Sequence, residues 1–129
     1  MKDFNEYIKK SHLKAVEKFN EELNAWAKET GEDEATLYED ANTSFTLRDI
    51  KVHRGYLQFY YDGSHESHNV VRYDEDEKRW YEEEYDGIMD YIRFWRKCLN
   101  RAKRYWEMDP DKLDKIQDGE ADDINDEEE

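Results

Sequence analysis

The sequence predicts an α+β fold from three observations. Two long segments carry apolar residues every three or four positions. A stretch between them alternates apolar with polar residues and is broken by glycine turns. Aromatic residues make up 15% of a chain that is only 36% hydrophobic. The aromatics matter because each buries on the order of 150–250 Å² when packed, which lets a polar chain build a core.

The first segment places Phe4, Ile8, Ala15, Val16, Phe19, Leu23 and Trp26 on one helical face. Asp3 with Glu6 forms a capping pair, and Gly31 suits the left-handed position past the end, so a helix is predicted over residues 3–30. A polar connector follows from Glu32 to Thr43, with room for one short helical turn. From Ser44 to Tyr73 the period becomes two. Phe45 and Leu47 alternate, as do Ile50 and Val52, and the slip between the pairs predicts a bulge at Arg48 and Asp49. Leu57, Phe59 and Tyr61 continue the pattern. Arg54-Gly55 and Asp62-Gly63 are hairpin turns by composition. A third strand is expected through Asn69, Val70, Val71, Arg72 and Tyr73, and the acids Asp74 to Glu77 turn the chain. Residues 79–85 fit either a fourth strand or the first turns of the next helix.

The second helix is marked by Tyr85, Ile88, Ile92, Trp95, Leu99, Ala102 and Trp106, all on one face, with Asp86 as its candidate cap. Asp109-Pro110 ends it and opens a short helix whose inner residues are Leu113 and Ile116. Gly119 closes that piece. Glu120 to Glu129 holds one isoleucine and seven acids, which predicts a single α+β domain over 1–118 and a disordered acidic tail over 119–129.

Charge is the strongest functional signal. The chain carries −15 in 129 residues, whereas a small soluble domain needs a magnitude of only about 2–8. Residues 31–86 hold six basic and sixteen acidic side chains, residues 87–108 six and two, and residues 109–129 two and eleven. Acid is thus concentrated in the middle and the tail, on either side of one basic segment. Such a chain repels nucleic acid and acidic membranes at long range and is drawn to basic surfaces. No run of about 18 apolar residues is present, nor a signal-peptide pattern, and the lone Cys98 allows no internal disulfide. A cytoplasmic setting is the expectation.

Catalytic chemistry finds little support. His65 and His68 stand three apart near Asp62, which is not the spacing of a helical zinc motif, so they read as solvated loop residues and no metal or cofactor is expected. Cys98 flanks the apolar stripe and reads as a buried thiol. Glycine-rich phosphate loops and a nucleophile elbow are absent, and a non-enzymatic role is the reading. The basic residues Arg93, Arg96, Lys97, Arg101, Lys103 and Arg104 fit either a nucleic-acid contact or pairing with the protein's own acids, and the surrounding negative charge favours the second. The partner-binding residues are therefore sought among Asp62, Glu66, Asp74, Glu75, Asp76, Glu77, Glu82, Glu83 and Glu84.

In size, charge and helix–strands–helix order the chain resembles the small phage-encoded DNA mimics, among them anti-CRISPR and anti-restriction inhibitors. The resemblance implies an acidic surface that occupies the nucleic-acid site of a defence nuclease, such as a CRISPR-Cas effector, in a host-cell cytoplasm. The alternatives are an immunity-type inhibitor of a toxin nuclease and an acidic subunit of a larger complex. All three need a basic partner surface and no direct nucleic-acid contact.

Overall fold

The computed structural model describes residues 4–82 and 87–124. The α+β class is as expected. A 3-10 turn, Phe4–Tyr7, leads into α1 (Lys10–Thr30), then β1 (Ala35–Asp40), β2 (Thr43–His53), β3 (Tyr56–Tyr61), β4 (Ser64–Asn69), β5 (Val71–Asp74), β6 (Arg79–Glu82), α2 (Ile88–Glu107) and α3 (Pro110–Gln117). Strands β1 to β4 form an antiparallel sheet in sequence order, and β5 with β6 forms a separate ribbon. Helices α1 and α2 lie on one face of the sheet. Between them and the sheet sits a core of Phe19, Leu23, Leu37, Leu47, Leu57, Ile88, Ile92, Trp95 and Leu99.

Helix α1 begins later than its periodicity implies. Phe4 and Tyr7 leave the helix axis to pack on Trp80 of the ribbon, with ring centroids 4.5 and 5.9 Å away. Asp3, the expected cap, lies outside the described residues, and the cap position of α1 is Lys9. Gly31 closes α1 at φ +78°, as expected. The expected connector holds strand β1 instead of a helical turn. Ala35 and Leu37 are buried and point inward, and each is followed by a half-buried residue, so the alternation is short but complete.

The bulge at Arg48 and Asp49 is present: the β2–β3 register shifts between Arg48 and Lys51, and Asp49 has φ +56°. Both glycine turns are present too. Asp62 and Gly63 have positive φ and join Tyr61 to Ser64. The third strand is not one strand. His65 and His68, expected in a loop, lie in β4, which pairs along its whole length with β3. The chain then leaves the sheet, because Val70 and Val71 are both buried and consecutive strand residues cannot face the same core. The Asn69 side chain accepts from the Val71 N–H at this corner. Residues 79–82 form strand β6; residues 83–86, with the candidate cap Asp86, lie outside the described residues.

Helix α2 buries every predicted stripe position that falls within it except the last. Trp106 is 59% exposed and Tyr105 is 4% exposed, because the final turn faces Tyr38 of β1 and the segment after α3. Asp109 caps α3 by accepting from the Asp111 N–H, with Pro110 in the first turn. Ala41, Tyr105 and Ile116 form a second apolar cluster, joined by Leu113, Ala121 and Ile124. Disorder from residue 119 onward therefore does not describe residues 119–124. They dock, and Asp123 accepts from the Ala41 N–H and the Tyr105 hydroxyl. The rest of the expected tail, 125–129, lies outside the described residues.

Candidate acidic interface

The sequence-predicted acids do not form one surface. Asp62 sits at the β3–β4 turn, while the ribbon carrying Asp74 to Glu77 is rooted at the opposite end of β3, where Val70 donates to Gly55. The two groups are thus separated by the length of β3, about 17 Å for six residues. Asp74 also shapes its own turn, since its carboxylate accepts from the N–H groups of Asp76 and Glu77. Glu75, Asp76 and Glu77 are exposed. Glu82 is not available to a partner. It pairs with His12 of α1 and tethers the ribbon to that helix. Glu66 lies on the helix side of β4, 3.7 Å from His68. Glu83 and Glu84 lie outside the described residues.

What the fold does assemble is an acidic end of the sheet. The β1–β2 turn and the β3–β4 turn occupy the same end, since Asp62 donates its N–H to the Thr46 carbonyl. Glu39 and Asp40 therefore stand near Asp62. Their combined field reaches Tyr61: burial first, then the charges of Glu39 and Asp62, push its phenol up. The segment after α3 is held on the same end by Gln117, which donates to the Ala41 carbonyl at 3.0 Å, and by Asp123. This brings Asp118, Glu120 and Asp122 to the neighbourhood of Asp40, all of them exposed. Reading residues 32–43 as a connector hides Glu39 and Asp40. The Ala35–Leu37 alternation is the signal that finds them.

Three of the six basic residues of α2 are turned to internal use. Arg96 pairs with Glu22 of α1 at 3.0 Å and lies over the Phe19 ring, Arg93 pairs with Asp90 at 2.8 Å, and Arg101 reaches Asp123 at 3.5 Å. Tyr105 stands beside Arg101, and burial followed by the hydrogen bond to Asp123 lifts its phenol to about 12. For Asp123, burial alone would raise the pKa, but hydrogen bonds from Tyr105, Ala41 and Ile124, with the Arg101 charge, outweigh it and hold the carboxyl below its ordinary value. By contrast Glu39, Asp40, Asp62, Asp118, Glu120 and Asp122 make no ion pair among the described residues.

Cys98 is a free cysteine buried in the apolar core. Among the described residues no group of three or more His, Cys, Asp or Glu side chains is placed to hold a metal ion, and no helix is long and apolar enough to cross a membrane. Comparison with protein-family models, with curated proteins and with solved structures found no match to this chain.

Proposed function

We propose that the chain binds a basic, nucleic-acid-binding surface of another protein through the acidic end of its sheet, and so blocks that surface to nucleic acid. The observation that carries this reading is the division of charge. The arginines of α2 neutralise acids on α1, on α2 itself and after α3, while Glu39, Asp40, Asp62, Asp118, Glu120 and Asp122 converge on one end without a cationic partner among the described residues. Concentrated like charge destabilises a compact fold and is useful where it steers a partner of opposite sign. Rigid backbone positions add to this. Carboxylates fixed on strand ends lose little freedom on binding, which preserves the electrostatic gain. A bacterial defence nuclease, such as a CRISPR-Cas effector, is the type of partner whose DNA site offers such a basic surface.

The test is affinity capture of the partner from the source cell, followed by competition. Duplex DNA is expected to displace the chain from the captured protein, and the association rate to fall steeply between low and physiological ionic strength as the Debye length shrinks to about 8 Å. Reversal of Glu39, Asp40 and Asp62 to Lys abolishes binding on this reading, whereas reversal of Glu75, Asp76 and Glu77 weakens it much less. The opposite ranking moves the interface to the ribbon. Retention of binding by both variants, with a flat salt response, refutes an acidic interface altogether.

A further inference from the structure

The outer edge of β4 has the features of a pairing surface. Among the described residues no strand covers it, and β4 carries neither proline, lysine nor a bulge, the usual devices that protect an edge. Its register with β3 is regular over all six residues. The two-residue turn at Asp62 and Gly63 makes Tyr61 and Ser64 a hydrogen-bonded pair. Alternation along an antiparallel ladder then leaves His65, Ser67 and Asn69 with their N–H and C=O groups directed outward.

This fixes which partner strand fits. An antiparallel strand must oppose outward residues to outward residues. For a second copy of β4, that parity leaves two central registers with equal overlap. Centring on Glu66 places two carboxylates face to face. Centring on Ser67 places Ser67 opposite its own copy, His65 opposite Asn69, and Glu66 opposite His68 twice. Glu66 and His68 share the helix side of β4, since they oppose Phe59 and Leu57, both buried. Beside them lies an aromatic groove of about 300 Å³, lined by Phe59, Tyr61, Tyr91, Phe94 and Trp95, with Phe94 45% exposed. We infer that this edge pairs with a second copy of the chain, antiparallel and centred on Ser67, joining two four-stranded sheets into one with a Glu66–His68 cross-strand pair on each side of the two-fold axis. The partner's Glu66 and His68 then stand beside the aromatic groove on the helix side of the joined sheet. Such pairing is independent of the function proposed above, whose acids lie at the end of the sheet and not along β4.

Sedimentation measures it directly. The full chain is expected to move from 15.8 kDa toward twice that mass as its concentration rises to about 0.5 mM, a range that captures even weak specific association. Ser67→Pro removes an N–H that no intramolecular ladder bond uses, so it should leave the far-ultraviolet circular dichroism unchanged and abolish the dimer. Glu66→His should weaken association about tenfold by replacing both carboxylate–imidazole pairs with imidazole–imidazole ones, and the exchange Glu66→His with His68→Glu should restore it. Ser67→Cys should form a disulfide-linked dimer under diamide, which takes up the two thiol hydrogens, because facing residues lie about 5.5 Å apart at Cα, within disulfide reach. A chain that stays monomeric, a dimer indifferent to Ser67→Pro, or a charge exchange that fails to restore pairing overturns the inference. A monomer whose β4 amides shift only when a basic peptide is added also overturns it, and assigns the edge to a different protein.

Discussion

The docking of residues 119–124 is tested by Asp123→Ala. In the native fold the Asp123 carboxylate accepts from the buried Tyr105 hydroxyl and from the Ala41 N–H at 3.1 Å, and faces Arg101, whose side chain is 10% exposed. Removing the carboxylate leaves two buried donors without acceptors, each costing about 1 kcal/mol where water has partial access. The ion pair adds little, because Asp123 is itself 34% exposed and solvent screens it. The expected loss is therefore about 2 kcal/mol, or roughly 6–8 °C in Tm for a chain of this size. Chemical denaturation read by tryptophan fluorescence measures it, and Asp123→Asn, which keeps an acceptor, should lose about half as much. The pH dependence gives a second reading. The Asp123 carboxyl is held below its ordinary value of 3.8, so its contribution is present above that pH and is lost as pH falls through the lowered folded value. Asp123→Asn should flatten that part of the acid limb. If truncation after Gly119 melts like the intact chain, the docked segment contributes nothing and Asp123 does not hold the fold.

Three further outcomes are expected. Tyr105 favours its neutral form in the fold, so the stability it contributes holds below the ordinary value of 10.0 and is lost as pH rises through about 12; Tyr105→Phe should remove a phenol that ionises at about 12 from an ultraviolet titration. Gly55→Ala should cost about 1–3 kcal/mol, since φ is +82° and the added carbon would stand 3.2 Å from Phe4 and 3.4 Å from Val71. Gly31→Ala, at φ +78° with open space around it, should cost only about 1 kcal/mol, and equal losses in thermal melts of the two would refute the steric difference. Trp95→Ala should cost about 3–5 kcal/mol, because this side chain is almost fully buried between Phe19, Phe59 and Tyr91; a melt within about 1–2 °C of the parent would show that its site collapses freely.

Elements whose pattern is local were legible in the chain before folding. Helical spacing marks most of α1 and α2, and turn chemistry marks Arg54-Gly55, Asp62-Gly63 and the Asp109 cap, because these depend on backbone preferences within a few residues. The slip between Leu47 and Ile50 likewise announces the bulge. Strand β1 left only the short Ala35–Leu37 alternation, easily passed over in a polar stretch, and β4 was not legible at all. In β4, Ser64–Asn69 has no apolar residue at all and is a strand only because β3 offers it a ladder of hydrogen bonds, a tertiary partnership that its own residue pattern does not encode. The placement of charge has the same origin. The total of −15 and its segments can be counted along the chain, but pairing depends on distance in space. Folding alone takes Glu82 to His12 and Glu22 to Arg96, seventy and seventy-four positions apart, and gathers Glu39, Asp40, Asp62 and the residues after α3 at one end of the sheet. Charge count is a property of composition, whereas a charged surface is a property of topology, because Coulomb interactions follow separation in space and not along the chain.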